Sequence, residues 1–148
     1  MNTKFTEIQK FTQWWVWLIM LSFLVIPLYS FIYGGFSEAL KSSLIVFVII
    51  LFYLLKLQTE IDQKGVRMSY FPFVSKFTKW SDVKVVSVIS YGFVGGWGIR
   101  FWTKHGTVYN VRGNKGLLVK LKSGKTFVIG TQKEAELKSV LKELGKTE

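Results

Sequence analysis

Three short constellations in this 148-residue chain use residue types that carry chemistry in other proteins. Ser123-Gly124-Lys125-Thr126 contains the Gly-Lys-Thr of a phosphate-binding loop. Such a loop needs another glycine at position 119, a strand before it and a helix after it, so that backbone amides cradle the phosphates. Position 119 is Val119 and both flanks alternate as strands, so a hairpin turn is expected. Gly92, Gly95, Gly96 and Gly98 imitate a nucleotide fingerprint, yet residues 99–103 alternate as a strand and no helix opens behind them. His105 is the single histidine, and Asp62 and Asp82 are the only aspartates. A Ser-His-Asp set can be written from them, but no nucleophile-elbow pattern supports it. Between Lys104 and Gly106, His105 reads as a solvated turn residue. Cysteine is absent, which excludes disulfides and thiolate metal sites and leaves too few ligands for a metal. No cofactor motif is present, and enzymatic activity is not expected.

Basic and aromatic side chains are the remaining candidates. Lys64 and Arg67 flank an early turn, with Lys76, Lys79 and Lys84 after them. Arg100, Lys104, Arg112 and Lys115 surround the middle loops, and Lys120, Lys122 and Lys125 edge a late hairpin. Lys120 and Lys122 share parity on one strand and therefore one face. From residue 56 onward seventeen Lys and Arg stand against seven Asp and Glu, a net +10. A balance of that kind attracts anionic lipid headgroups when held at a membrane surface, at roughly 1 kcal/mol per basic residue. Tyr91, Phe93 and Trp97 line the glycine-rich segment and are candidates for an aromatic rim. Nucleic acid is a weaker alternative partner. Base stacking would need Trp97, Trp102 and Tyr109 exposed on a sheet, whereas their alternation suits a core.

The elements that position these residues begin with two uncharged stretches. Residues 14–33 contain no charge, with Trp14, Trp15 and Trp17 at one end and Tyr29 and Tyr33 at the other. About 20 apolar residues cross a hydrocarbon core of roughly 30 Å, and indole and phenol rings favour its two interfaces. Pro27 is expected to kink this helix. A second span is expected over residues 38–57, with Lys41 and Lys56 snorkelling outward. A cleaved signal peptide fits poorly, because the first stretch is too long, no small-x-small site follows it, and a second span comes at once. Gly34-Gly35-Phe36-Ser37 would close the hairpin, and Tyr33, Gly34 and Gly35 would allow close approach in a homo-oligomer. Lys4 and Lys10 before the hairpin and Lys56, Lys64 and Arg67 after it outweigh Lys41 in the loop. By the positive-inside bias both termini are cytoplasmic, in a multi-pass membrane protein.

Beyond residue 57 the pattern changes to short alternating runs divided by turns. Residues 61–66, Ile-Asp-Gln-Lys-Gly-Val, read as a tight hairpin with Gly65 at a positive-φ position. Residues 83–91 are rich in β-branched side chains, and further runs follow to residue 129. Thr131 with Glu134 makes a capping box. Leu137, Val140, Leu141 and Leu144 then repeat at helical spacing, with Gly145 as the stop. The expected architecture is a tail and hairpin over residues 1–57, then a domain over residues 58–148. That domain would be a barrel or sandwich of about seven antiparallel strands, closed by one amphipathic helix.

Strands first and one amphipathic helix last, directly after a two-helix anchor, resembles the bacterial pleckstrin-homology-like membrane proteins. The likeness rests on the 61–66 turn, on Trp80-Ser81-Asp82-Val83, and on Ile129-Gly130-Thr131-Gln132 before the helix. Gly95-Gly96-Trp97-Gly98-Ile99-Arg100, followed by Tyr109-Asn110-Val111 and Gly113, adds to it. The resemblance implies a partly open barrel of two roughly orthogonal sheets that binds headgroups, peptides or proteins and assembles complexes. Phosphoinositide-binding members place several basic residues around the first hairpin; here only Lys64 and Arg67 flank that turn. Diffuse attraction to anionic headgroups is therefore expected, with a membrane enzyme using Arg100, His105 and Arg112 on a headgroup phosphate as the alternative.

Overall fold

The computed structural model describes residues 5–146, apart from the side chain of Ala39. Lys4 of the basic tail, and Thr147 and Glu148 at the end of the expected domain, lie outside the described residues. The chain divides into a helical unit, Phe11–Leu55, and a β-rich unit built from the segments on either side of it.

Three helices make the helical unit: α1 (Trp14–Ser22), α2 (Val25–Tyr33) and α3 (Gly35–Leu54). The break between α1 and α2 follows from Pro27, which has no amide to offer the Phe23 carbonyl. That carbonyl accepts from the Ile26 amide instead, at 3.3 Å, one residue short of helical spacing. The reversal into α3 is tighter than expected: Gly35 adopts φ +70°, and Phe36 and Ser37 already belong to α3. The second apolar helix spans residues 35–54 instead of 38–57, and Lys56 lies in a strand. Lys41 is paired with Glu38 at 2.6 Å. Trp14–Tyr33 and Gly35–Leu54 are each 20 residues long, apolar enough to cross a membrane, and only 6% buried. A core helix of a soluble protein would be mostly buried; these are apolar and, beyond the face on which they pack together, exposed.

Among the described residues, nine strands, the 3-10 turn Trp80–Asp82 and one α-helix make the β-rich unit. The first sheet is a meander in the order β1 (Phe5–Lys10), β2 (Lys56–Ile61), β3 (Gly65–Phe71) and β4 (Val74–Lys79). The N-terminal segment is thus a strand of this unit, not a tail. Its register pairs Lys10 with Lys56 and Phe5 with Ile61, so the helical hairpin is inserted between two adjacent strands of one sheet. Phe5, Glu7 and Gln9 point inward and are buried. The Gln9 amide donates to the Gly130 carbonyl at 2.7 Å, and the Glu7 carboxylate accepts from the Thr131 hydroxyl and the Gln132 amide at 2.5 and 2.7 Å.

The second sheet has the order β5 (Val83–Ser90), β8 (Lys115–Leu121), β9 (Thr126–Gly130), β7 (Gly106–Asn110) and β6 (Gly98–Thr103). It departs from the expected antiparallel row, because β9 enters between β8 and β7 and pairs with β7 in parallel. Composition explains the placement: four of the five residues of β9 are buried, as a central strand requires. No strand is shared between the two sheets, so no closed barrel forms among the described residues. Tyr91, Val108 and Val128 form a buried cluster, and Leu117 and Val119 of β8 are fully buried.

α4 (Glu134–Glu143) buries Leu137, Val140 and Leu141 against this unit. The expected capping box does not form. The Thr131 hydroxyl accepts from the Lys133 amide but donates to Glu7, and the helix opens at Glu134. The C-terminus does end as expected: with Gly145 at φ +64°, its amide donates to Lys142 and that of Lys146 to Leu141, a Schellman motif. The 62–65 turn also forms, by a different device. Gly65 is not at positive φ; a Cβ there would overlap the Thr78 carbonyl of β4, so the glycine serves close strand approach.

Candidate functional site

Basic residues fall into separate groups on this framework. Lys64 and Lys79 lie at one end of the first sheet, where β3 begins and β4 ends. Arg67 is paired with Glu60 at 3.7 Å and lies over the Phe77 ring. Lys115 is 3.7 Å from Glu134, whose carboxyl is held below its ordinary range chiefly by its hydrogen bond from Lys138. Lys120 and Lys122 are exposed beside the β8–β9 turn. That turn is the hairpin expected for residues 123–126: Gly124 has φ +86°, and the Leu121 amide donates to Lys125 at 2.8 Å.

The structure brings together one pair that the sequence leaves 49 positions apart, Lys76 on β4 and Lys125 beside β9. Lys76 Nζ stands 4.1 Å over the Phe127 ring. Burial, then the Lys125 charge, push the Lys76 amine below its ordinary value. Two ammonium groups held close at a partly desolvated aromatic face make a spot that an anionic group would relieve.

Arg100, His105 and Arg112 do not converge. His105 precedes β7 and Arg112 follows it, so roughly 20 Å of extended chain separates them. His105 is also less solvated than a free turn residue: its backbone amide donates to Thr103 and its Nε2 is enclosed without a hydrogen-bond partner. Arg100 donates to the Trp97 carbonyl at 2.9 Å. Lys104 and Arg112 are exposed.

Aromatic residues show the largest departure from expectation. Tyr91 is core, 1% exposed, donating to the Gly113 carbonyl and accepting from Asn110. Burial pushes its phenol above the ordinary value, the Asn110 hydrogen bond acting against it. Phe93 is 90% exposed and Trp97 partly so. Trp102, expected to fill a core, is 97% exposed and has φ +54°, an uncommon backbone for a bulky residue. A register shift between Arg100 and Thr103 interrupts the alternation, which turns Phe101 outward as well. Tyr109 packs edge-on against Phe127, whereas Trp97 and Trp102 are exposed. Phe71 and Phe73, exposed around the β3–β4 turn, carry no periodic signal that would single them out.

In the helical unit, Trp14 and Trp15 are exposed in the first turn of α1, and Tyr29 and Tyr33 are exposed one turn apart near the end of α2. Trp17 instead packs edge-on against Phe52 and Tyr53 and donates its indole N–H to the Phe11 carbonyl. Among the described residues no three of His, Cys, Asp and Glu cluster as a metal site would require. Comparison with protein families, curated proteins and solved structures finds no match for this chain.

Proposed function

We propose that this protein is a membrane-anchored, non-enzymatic binding platform. The hairpin holds it in a bacterial inner membrane with both termini cytoplasmic, and it presents a basic, pleckstrin-homology-like unit to anionic headgroups or an acidic protein. The observation that carries the reading is the pairing of Lys10 with Lys56: one sheet grips both ends of a 45-residue apolar insertion. A unit joined at two paired strands stays on one side of any bilayer the hairpin crosses. Tethering then raises its effective concentration at that surface without new contacts. The net +11 of the β-rich unit supplies long-range attraction, and Lys76 with Lys125 supplies a local point of attachment.

The test uses the full-length chain in nanodiscs of neutral phosphatidylcholine, mixed with phosphatidylglycerol vesicles across a salt series. Capture that weakens as salt rises, and is severalfold weaker for Lys76→Glu/Lys125→Glu, is expected for headgroup binding. Absence of capture by the folded protein, with amine–carboxylate crosslinking in native membranes yielding an acidic protein partner, would leave the protein-binding form. Neither capture nor crosslink would contradict the platform.

A further inference from the structure

Apart from Phe77 in the middle of β4, the exposed aromatics of the β-rich unit fall near one end of the first sheet. Lys10, Lys56 and Phe71 form the last register row of the first sheet, the row at which the chain leaves for the helices. The next row holds Tyr70, whose hydroxyl donates to the Asn110 carbonyl at 3.4 Å. Asn110 pairs with Gly98, the first residue of β6, and the Arg100 charge acts on the Tyr70 phenol. At the opposite end of the first sheet, β5 leads out of Trp80–Asp82, and Lys122 donates to the Asp82 carbonyl. The second sheet therefore lies across the first, with β5 at the far end and its free edge, β6, beside the row that leads to the hairpin.

Chain connectivity keeps that row close to the hairpin. Three residues separate β1 from α1, and Leu55 alone separates α3 from β2. At about 3.5 Å per residue, Lys10 and Lys56 stay within roughly 15 Å of the helix ends. Phe71 and Phe73 in the adjoining turn, Phe93 and Trp97 in the loop before β6, and Phe101 and Trp102 on β6 are all exposed. Lys56 Nζ stands 5.6 Å over the Phe71 ring. Aromatic rings with neighbouring cations are the composition that the headgroup layer of a bilayer favours. The register shift that displays Trp102 also spoils β6 as a template for another strand.

Building on the membrane anchoring proposed above, we infer that Phe71, Phe73, Phe93, Trp97, Phe101 and Trp102 form a rim that seats in the headgroup layer of the bilayer the hairpin crosses. The β-rich unit is then held flat on the membrane at three points: the two paired strands and this rim. Lys56 and Arg100 meet lipid phosphates.

The chain has no cysteine, so single spin labels report depth in full-length protein reconstituted into phosphatidylcholine–phosphatidylglycerol vesicles. Labels are placed at Lys104→Cys beside the rim, Ser123→Cys on the β8–β9 turn and Leu44→Cys in α3. The expected result is a Leu44 label in hydrocarbon, a Ser123 label in water, and a Lys104 label whose collisions with a water-soluble relaxant are severalfold fewer than those at 123. Adding Phe93→Ser, Phe101→Ser and Trp102→Ser should return the 104 label to the value at 123. A 104 label as accessible as 123, with 44 in hydrocarbon, overturns the rim and leaves the anchor standing. A 44 label in water overturns both.

Discussion

The two ends of the first sheet are built in opposite ways. The 62–65 turn is tied together by local hydrogen bonds. The Asp62 carboxylate accepts from the Lys64 and Gly65 amides at 2.7 and 2.9 Å, the Trp80 indole donates to the Asp62 carbonyl, and Lys146 lies over the Trp80 ring. Phe5 and Ile61 close the core beneath that turn. At the other end Phe71 and Phe73 are exposed, and beyond them β6 displays an indole in a left-handed backbone. One end is finished for water. The other resembles half of an interface, and it is the end joined to the apolar helices.

Substitutions at the two ends should differ in size and sign. Phe5→Ala, beneath the closed turn, removes a ring that is 2% exposed and should destabilise the β-rich unit by about 3–5 kcal/mol in denaturant unfolding in detergent. A loss under about 1 kcal/mol would mean that β1 is dispensable.

A pH scan probes the floor of the open end. Burial pushes the Tyr70 phenol from 10.0 to about 12, the Arg100 charge acting against it. A raised folded pKa stabilises fully below pH 10, and that contribution is lost as pH climbs from 10 to 12. The Tyr70 contribution amounts to about 3 kcal/mol, so Tyr70→Phe should lose less stability over this range, keeping only the part due to the other buried phenols, Tyr91 and Tyr109. Next in size, Asp62→Ala removes the carboxylate oxygen that accepts from both the Lys64 and Gly65 amides and should lower stability by about 1–2 kcal/mol, measured the same way. Trp102→Gly should have the smallest effect and the opposite sign. Relief of the left-handed backbone should raise stability in detergent by up to about 1 kcal/mol while the rim loses its most exposed ring.

Much of this architecture is legible in residue order, and the illegible parts have physical causes. The two apolar helices, the 123–126 turn and the amphipathic α4 follow from run length, glycine placement and helical periodicity. Strand β1 does not, because its inward positions are Phe5, Glu7 and Gln9 while Ile8 faces outward. Two of its three buried side chains are polar and find partners more than 120 positions away, at Gly130, Thr131 and Gln132. The parallel β7–β9 pair is equally silent, since alternation marks a strand but not its neighbour. Trp102 misleads for a related reason: one register shift breaks the alternation of β6 beyond Arg100 and leaves both Phe101 and Trp102 exposed. Lys76 and Lys125 meet only through tertiary packing.

The central claim, one β-rich unit gripping both ends of a membrane hairpin, is tested most directly by sidedness. Single cysteines at Thr6 in β1, Ser37 in the first turn of α3 and Ser123 in the β8–β9 turn are labelled with a membrane-impermeant maleimide in sealed vesicles of known orientation. Thr6 and Ser123 should react from the same side and Ser37 from the opposite one. Thr6 and Ser123 reacting from opposite sides, or all three from one side, would contradict it.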